Sequence, residues 1–423
     1  MRRALAVAVS VVAIVGGLAG PAWATNDTYF SRQWALTQIG APQAWARSTG
    51  AGITIGIVDT GVDMGHPDLA GKIAVAADCV GRPCAAGSAQ DTHGHGTIVS
   101  GIAAAVADNG KGIAGVAPDA RLVVAKVLDA AGEGRVEDIN NGIRWVVDNG
   151  ARVVNLSLGD PNFLAASVLG SPLRTGIEYA WSKGAVPVLA SGNYATGVGD
   201  IGSENYGTLN ALVVGATDRS GNVPGYSSPV GNAKWGLVAP GGAGSGGADS
   251  NVISTFLTAS GGTGYASAAG TSMAAPHVSG ALALLLAQGQ TPAGAISTLL
   301  GSLDKVPCGT GCQGRLNVAR AVGADPAAPA PATTGVPRTT VPRTTTTRAP
   351  TTTVTTAPPT TTTTTTVPRS AVAAEPPAVA LPEPVLLPIT ASPERWLAGA
   401  AAGLLVAVVG AAVGATWARR LAV

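Results

Sequence analysis

The stretch AGITIGIVDTG, residues 51–61, decides the fold class of this 423-residue chain. Its isoleucine and valine residues are β-branched, which favours a strand, and the glycine that ends it favours a turn. Apolar residues occupy both alternating faces of the segment, so neither face is suited to water. A strand of this kind is typical of a parallel sheet that is covered by helices on each side.

Further strand segments alternate with helical segments after this first one. The strand segments are RLVVAKVLD (121–129), ARVVNLSLG (151–159) and AVPVLASGN (185–193). The helical segments are GTIVSGIAAAVA (96–107), VEDINNGIRWVVDNG (136–150) and LRTGIEYAWSKG (173–184). The alternation predicts a doubly wound α/β domain with a mostly parallel sheet. Ligands in such sheets bind beyond the carboxyl ends of the strands, where Asp59, Ser157 and Asn193 are expected to emerge.

Composition restricts the globular domain to residues 25–323. Residues 1–24 have a charged start, an apolar core and the ending Ala22-Trp23-Ala24, which together predict a cleaved secretory signal peptide. The formal net charge is +2, and no basic run exceeds two residues. The sequence therefore gives no electrostatic indication of nucleic-acid binding.

The carboxyl-terminal region predicts a stalk followed by a membrane anchor. Residues 324–395 are rich in Ala, Pro and Thr, which indicates a disordered stalk. The 22 uncharged residues 396–417 are long enough to cross a membrane as a helix. The basic residues of the tail 418–423 should stay cytoplasmic, so the globular domain would face outward. An alternative is cell-wall attachment, because Leu387-Pro388-Ile389-Thr390 resembles a sortase signal, although Ala391 replaces the usual glycine.

Four cysteines form two close pairs along the sequence, Cys79 with Cys84 and Cys308 with Cys312. Disulfides are the default in an exported protein. Three connectivities are possible, and pairing within each close pair is preferred. Zinc binding is disfavoured because neither pair has the usual two-residue spacing.

Two short motifs carry residues that could perform chemistry. Asp59 lies in an Asp-Thr-Gly triplet, but aspartic proteases need two such triplets and the chain has one. Ser272 lies at the start of the apolar helical segment 270–286, where helix N–H groups favour developing negative charge. Taken alone, Asp59 could close a turn, and Ser272 could be an ordinary helix-capping serine.

The segments IGIVDTGVD, HGHGTIVSGIAA and GTSMAAPHVSGALALL supply Asp, His and Ser in the order of the subtilisin triad. With them the chain resembles the subtilase family, and its thermitase-like branch in particular, from near residue 26 to residue 322. The resemblance implies that Ser272 is the nucleophile, that His95 is the base and that Asp59 orients the base. His93 has no family role and is interpreted as a rim residue. A His-x-His metal site is disfavoured because no third ligand lies near.

The resemblance also implies an oxyanion hole and a peptide-binding cleft. Asn193 and the Ser272 N–H would be the oxyanion donors. Substrate would pair as an added strand with two segments, and a third segment would wall the first specificity pocket. These segments are Gly132, Glu133 and Gly134; Ser157, Leu158 and Gly159; and Ala190, Ser191 and Gly192. Glu204 would favour a basic side chain before the cut if it lined the pocket, but it is expected to face solvent.

Calcium is a further implication of the resemblance, as a structural ion; the chemistry itself needs no cofactor. The expected ligands are the carboxylates of Asp27 and Asp68, the Asn109 amide, and the carbonyls of Val106, Lys111 and Ile113. Six oxygen ligands suit Ca²⁺. The charge of Lys111 argues against a strong site.

The sequence as a whole predicts an exported, surface-anchored serine endopeptidase that acts on polypeptides. The order of signal, protease, stalk and helix also resembles that of mycosins, so a processing role beside type VII secretion components is an alternative. A second alternative is a binding module on a protease scaffold without catalysis.

Overall fold

The structure is a computed structural model that describes residues 25–158, 171–193, 206–258 and 261–324. The predicted signal peptide 1–24, residues 325–395 of the predicted stalk, the predicted helix 396–417 and the predicted tail 418–423 lie outside the described residues. Gly159 and Glu204 also lie outside them. Within the described ranges, no helix is both long enough and apolar enough to span a bilayer.

The central element is a sheet that runs in the spatial order β11-β8-β7-β6-β5-β1-β4-β2-β3 through the described part of the chain. Its strands are β1 (Thr54–Asp59), β2 (Ile73–Asp78), β3 (Ala85–Ala86), β4 (Arg121–Lys126), β5 (Val153–Leu156), β6 (Val186–Ala190), β7 (Leu212–Thr217), β8 (Trp235–Pro240) and β11 (Cys312–Arg315). All neighbours pair in parallel except β2 and β3, which are antiparallel. The mostly parallel sheet predicted from the sequence is confirmed.

Helices cover this sheet, and an antiparallel hairpin lies outside it. The helices are α1 (Trp34–Ile39), α2 (Ala41–Ala44), α3 (His95–Ala104), α4 (Val136–Asp148), α5 (Arg174–Ser182), α6 (Thr271–Ala287), α7 (Pro292–Gly301) and α8 (Val318–Ala321). Short 3₁₀ helices occur at Phe30–Arg32, Pro67–Leu69 and Ala248–Ser250. The hairpin consists of β9 (Val252–Leu257) and β10 (Thr263–Ala268).

The apolar residues of the strands divide between two cores, one on each face of the sheet. Ile55 and Ile57 of β1 join the core that contains the leucines of α6. Val58 of β1 joins the other core, with Ile139 and Ile143 of α4. This division follows the two-residue period of a strand, so helices on both faces are confirmed.

Helix α6 is buried along almost its whole length, from Thr271 to Leu286. A helix that is apolar all round belongs inside a protein rather than on its surface. It packs against α3 and against several strands of the sheet. The amino terminus of α6 lies at the carboxyl edge of the sheet, where Ser272 contacts Ser157 directly after β5.

Both cysteine pairs form local disulfides, Cys79–Cys84 and Cys308–Cys312. The preferred connectivity is confirmed. Each bond closes a loop of only a few residues, so its effect on the unfolded chain is small and it fixes the local loop. No cysteine in the described part of the chain is left as a free thiol.

Candidate active site

Asp59 and His95 meet at the carboxyl edge of the sheet. Asp59 is the last residue of β1, and His95 is the first residue of α3. The His95 Nδ1 atom lies 2.7 Å from Asp59 Oδ1, and both side chains are completely buried. Thr60 N–H also donates to Asp59 Oδ1, at 2.7 Å. Since Nδ1–H donates to the carboxylate, the tautomer leaves His95 Nε2 as an acceptor.

Two atoms of this pair have no hydrogen-bond partner among the described residues. They are His95 Nε2 and Asp59 Oδ2, and both are buried. Buried polar atoms normally have partners, so an orphaned acceptor at this point requires an explanation. An acceptor nitrogen on an imidazole held in one orientation can take up a proton, as a general base must.

The absence of a side chain at Gly96 allows α3 to begin close to the turn that follows Asp59. A Cβ atom at residue 96 would lie 2.1 Å from the Gly61 carbonyl oxygen and 3.2 Å from Asp59 Cβ. Any larger residue would push α3 away from β1. The glycine after the histidine therefore sets the short distance between His95 and Asp59.

A second carboxylate, Asp91, organises the amino terminus of α3. Its Oδ1 accepts from Thr60 Oγ1 and from the N–H groups of His93 and Gly94, each at 2.9 Å. Its Oδ2 accepts from Thr97 N–H at 3.0 Å and from Thr97 Oγ1 at 2.6 Å. Burial acts to raise the pKa of Asp91, but the hydrogen bonds from Gly94, Thr97 and His93 hold it below its usual value. Sequence reasoning missed Asp91, although an acid shortly before a helix start is a recognisable capping signal.

Ser272 is the second residue of α6, and it is buried. Its hydroxyl donates to the Ser157 carbonyl oxygen at 3.2 Å rather than to His95 Nε2. Its backbone N–H lies in the first turn of α6, where helix N–H groups lack intrahelical acceptors. The structure thus brings Asp59 and His95 into direct contact. It places the Ser272 hydroxyl against the carbonyl of Ser157, the residue that follows β5.

Asn193, the expected oxyanion donor, lies beside the start of α6. Its Oδ1 accepts from Thr271 N–H at 2.9 Å and from Thr271 Oγ1 at 3.1 Å. These two bonds turn the Asn193 Nδ2 group toward Gly270, where a Cβ atom would lie 3.3 Å from it. The backbone of Gly270 has a φ of 152°. The amide donor of Asn193 and the first-turn N–H groups of α6 therefore share one corner of the site.

The segments expected to bind substrate follow the carboxyl ends of their strands. In the loop after β4, two hydrogen bonds with Asp129 hold the backbone of Glu133. The Glu133 carbonyl accepts from Asp129 N–H, and the Glu133 N–H donates to Asp129 Oδ1. Ser157 and Leu158 follow β5 directly and are buried. The wall of the expected pocket begins at Ala190, the last residue of β6.

The segment that is expected to wall the pocket is held by two hydrogen bonds. Ser191 Oγ donates to the Ser228 carbonyl at 2.7 Å. Gly192 N–H donates to Thr271 Oγ1 at 3.1 Å. These contacts tie the wall to the start of α6.

His93 lies beside His95, with ring centroids 6.3 Å apart. A Cβ atom at Gly132 would lie 3.2 Å from His93 Nε2, so the His93 ring fills the space between His95 and the 132–134 segment. Burial and then the neighbouring His95 lower the pKa of His93, while Asp59 and Asp91 act to raise it. The position fits the interpretation of His93 as a residue on the rim.

The other two histidines are buried structural residues. His66 precedes a 3₁₀ helix, where its Nδ1 accepts from Asp68 N–H at 3.2 Å, and its Nε2 lies 2.8 Å from the Gly264 carbonyl. His277 lies in α6, where its Nδ1 donates to the Met273 carbonyl at 2.8 Å. Burial lowers the pKa of His277 to about 4.

The low pKa of His277 predicts a loss of stability in mild acid. The unfolded histidine titrates near 6.5, so between pH 6.5 and about 4 the unfolded chain binds more protons than the folded chain. The free energy of unfolding should therefore fall by about 2–3 kcal/mol through this group as the pH falls from 7 to 4.5.

Denaturant titrations at pH 7 and 4.5 measure this effect, using the Ser272→Ala chain to prevent self-digestion. The His277→Asn variant, which keeps a donor near the Nδ1 position, should lose that part of the pH dependence. An equal pH dependence in both chains would contradict the assignment to His277.

The residues expected to bind calcium lie around the loop after α3. Asp27 accepts from the N–H groups of Asp108 at 2.9 Å and Asn109 at 3.0 Å. Asp68 accepts from Asn109 Nδ2 at 3.0 Å and from Ile113 N–H at 2.8 Å. Asn109 Oδ1 faces the N–H of Lys111 at 2.8 Å. The side chain of Lys111 is exposed, and in the described part of the chain it forms no ion pair with either acid.

The oxygen atoms of these residues are ligands that would suit a small cation with a preference for oxygen. Asp27 and Asp68 are 5% and 0% exposed, and among the described residues no Lys or Arg forms an ion pair with either. Both carboxylates are hydrogen-bonded to Asn109. Burying two negative charges without a counter-charge lowers the stability of the fold. Within the described ranges, no three His, Cys, Asp or Glu side chains are grouped to hold a metal, so a site here needs backbone and amide oxygens. Binding through Asn109 would require its amide to turn, because its oxygen now faces Lys111.

Comparisons with known proteins agree with this geometry. Residues 50–299 match the model of the subtilase family. The chain is 40% identical over 303 residues to thermitase of Thermoactinomyces vulgaris. This match covers 70% of this chain and 98% of thermitase. It is 42% identical over 254 residues to subtilisin Savinase of Lederbergia lenta, covering 60% of this chain and 83% of that protein.

A solved structure of a protease from Pseudoalteromonas arctica superposes with a TM-score of 0.63 at 31% identity. The match covers 71% of this chain and 99% of the other. With the parallel sheet and the buried His95–Asp59 pair, these comparisons establish that the chain belongs to the subtilase family and is a subtilisin-like serine protease.

Proposed function

We propose that the protein is an endopeptidase whose catalytic residues are Ser272, His95 and Asp59. The observation that carries the proposal is the buried hydrogen bond of 2.7 Å between His95 and Asp59, with His95 Nε2 left as an acceptor. The Ser272 Oγ–H bond breaks as Oγ attacks the peptide carbonyl carbon, and its proton passes to Nε2. The same proton then passes to the leaving amine, and water repeats the cycle on the acyl-enzyme. Asp59 stabilises the charged imidazole throughout.

The Ser272 hydroxyl has to leave the Ser157 carbonyl before it can reach His95. A serine hydroxyl has three staggered positions about χ1, so we propose that a rotation of the Ser272 side chain turns the hydroxyl toward His95. The Ser157 carbonyl is also one of the acceptors that an added substrate strand would use. We infer that a bound peptide N–H competes with the Ser272 hydroxyl for this oxygen and favours the rotamer that faces His95.

The oxyanion of the tetrahedral intermediate would be stabilised by Asn193 Nδ2 and the Ser272 N–H. Both donors are fixed before the reaction, because Thr271 holds the Asn193 oxygen at 2.9 Å and 3.1 Å and the N–H belongs to a buried helix. Fixed donors stabilise developing charge without the cost of reorganisation.

Substrate would bind as a strand between the 132–134 and 157–159 segments. The Glu133 backbone is already paired with Asp129, so strand alternation leaves carbonyls of the flanking Gly132 and Gly134 for the peptide. Ala190, Ser191 and Gly192 would wall the pocket for the side chain before the cut. We do not propose that Glu204 gives this pocket a preference for basic side chains.

We further propose that this domain is exported and held at the cell surface. Support comes from the sequence of 1–24 and of 396–417, and from two disulfides, which are typical of oxidising compartments. Partners would be polypeptide substrates and the membrane. Wall attachment through residues 387–390 and a mycosin-like role beside secretion components remain alternatives.

Calcium would be held by Asp27, Asp68, Asn109 and the carbonyls of Val106, Lys111 and Ile113. It would neutralise two buried carboxylates and tie the amino-terminal segment to the loop after α3. The ion has no part in the bond-breaking steps.

The thermal midpoint of the Ser272→Ala chain should therefore rise when millimolar CaCl₂ replaces EDTA. Free ion at about 100 times its dissociation constant stabilises the fold by about 2.7 kcal/mol, which corresponds to about 4 °C for a domain of this size. The Asp68→Asn variant should lose the response. The control Asp249→Asn, at an exposed acid paired with Arg32, should keep it. Equal midpoints in calcium and in EDTA would contradict calcium binding.

Digestion of denatured casein by the purified full chain tests the proposed activity, with the fragments read by mass spectrometry. Internal cuts that disappear in the Ser272→Ala chain support an endopeptidase. The absence of cuts in either chain favours the alternative of a binding module on a protease scaffold.

A further inference from the structure

Three buried polar side chains connect helix α6 with the end of β5 and with the backbone carbonyl of Ser272. Ser279 Oγ donates to Asn155 Oδ1 at 2.8 Å, and Asn155 Nδ2 donates to Ser157 Oγ at 2.9 Å. Ser157 Oγ in turn donates to the Ser272 carbonyl oxygen at 2.8 Å. The Ser279 hydroxyl also lies 3.2 Å from the Ala275 carbonyl, a longer contact than the one to Asn155. Since a carbonyl oxygen can only accept, the donors of this network point toward the backbone of Ser272.

Pro276 explains why the Ser272 carbonyl is available to this network. In an α-helix the carbonyl of residue 272 accepts from the N–H of residue 276. Pro276 lies inside α6 and has no N–H, and a proline ring also crowds the carbonyl four residues before it. The Ser272 carbonyl therefore lacks its helix partner. The Ser157 hydroxyl donates to this carbonyl oxygen.

The two serines contact each other twice. Ser157 Oγ donates to the Ser272 carbonyl, and Ser272 Oγ donates to the Ser157 carbonyl at 3.2 Å. Ser157 is 0% exposed and Ser272 is 7% exposed, so water is largely excluded from the pair. A hydrogen bond in such surroundings holds its partner firmly, and an unpaired acceptor there is unfavourable.

We propose that Ser157 is a positioning residue for the nucleophile, because its hydroxyl replaces the helix hydrogen bond that Pro276 removes from the Ser272 carbonyl. The inference rests on the proposed function, in which Ser272 attacks the substrate. Ser157 touches neither the base nor the reacting bond through its hydroxyl. It fixes the backbone from which the Ser272 side chain rotates, and it ties that backbone to the strand end that pairs with substrate.

Kinetics on a peptide p-nitroanilide test this role. The Ser157→Ala variant should lower kcat at least about tenfold, as expected for a displaced nucleophile, and leave KM within about twofold. The rate of labelling by diisopropyl fluorophosphate should fall in parallel, because this small reagent does not need strand pairing. Ser157→Thr, which keeps the hydroxyl, should restore most of both rates.

A double-mutant cycle with Pro276→Ala is the sharper test. Alanine at 276 supplies the missing N–H, so the chain with both Ser157→Ala and Pro276→Ala should recover much of the kcat lost in Ser157→Ala. Pro276→Ala alone should change kcat less than about threefold. Recovery by a second substitution is a coupling that a general loss of stability does not produce.

Ser48→Ala is the matched control, since Ser48 Oγ donates to the Leu284 carbonyl of the same helix at the same distance of 2.8 Å. It should lower the thermal midpoint and leave kcat unchanged. The inference is overturned if Ser157→Ala behaves like Ser48→Ala, or if only KM changes. Failure of the proposed function gives a different result, in which the unchanged chain neither cleaves peptide nor reacts with the fluorophosphate.

Discussion

Replacement of Ser272 by alanine is expected to lower kcat for peptide hydrolysis by about 10⁶-fold, the size of the loss when the nucleophile is removed from subtilisin itself. The reason is that Ser272 supplies the oxygen that attacks the peptide carbonyl carbon in the proposed mechanism, and alanine has no such atom. With the nucleophile gone, the oxyanion donors and the binding cleft remain, so residual hydrolysis by water should still exceed the uncatalysed rate. KM should change little, because the Oγ atom contributes to attack and not to strand pairing.

Hydrolysis of a peptide p-nitroanilide by the purified chain and the variant measures this loss. Ser100→Ala is a suitable control, because Ser100 is a buried serine of α3 whose hydroxyl has no partner in the described part of the chain. It should retain kcat within about threefold. A Ser272→Ala chain with more than about a tenth of the original kcat would contradict the role of Ser272.

The second large effect is expected at Asn193. Asn193→Ala should lower kcat by about 10²–10³, the cost of removing the equivalent amide donor in subtilisin, and KM should stay nearly constant. The amide contacts charge that develops only in the transition state, so its loss should not weaken binding of the substrate. Asn193→Asp should be at least as damaging, since it keeps the acceptor for Thr271 but places negative charge beside the oxyanion.

Asn140→Ala separates this catalytic effect from lost stability. Asn140 Oδ1 also accepts from a backbone N–H and a threonine hydroxyl, those of Gly176 at 2.7 Å and Thr175 at 3.0 Å. It belongs to α4, on the face of the sheet opposite α6. Both variants should lose similar thermal stability, and only Asn193→Ala should lose kcat. Equal kcat values for the two would count against an oxyanion role.

The fold could be predicted from local sequence because its signals are local. The β1 segment 51–61 has apolar residues on both faces, and the structure divides Ile57 and Val58 between the two cores as a two-residue period requires. The short cysteine spacings likewise predicted the disulfides that form. The segments around Asp59, His95 and Ser272 were recognisable because each has an Asp, His or Ser close to glycine residues in the sequence.

The fine geometry of the site could not be predicted, because it depends on contacts between distant segments. Ser272 and Ser157 are 115 residues apart, and nothing near either residue indicates that their hydroxyls and carbonyls pair. Pro276 was visible in the sequence, but its effect on the Ser272 carbonyl matters only once β5 is known to pass beside α6. The five hydrogen bonds on Asp91 are a similar case, since Thr60 reaches it from another loop.

Ser272, activated by the His95–Asp59 pair, is expected to act as a nucleophile. The decisive measurement is covalent labelling of the purified full chain by a fluorophosphonate, followed by peptide mapping. One label per chain is expected on the peptide that contains Ser272, with labelling lost in Ser272→Ala and strongly slowed in His95→Ala. A folded chain that takes no label, or takes it equally on another residue, would show that Ser272 is not an activated nucleophile.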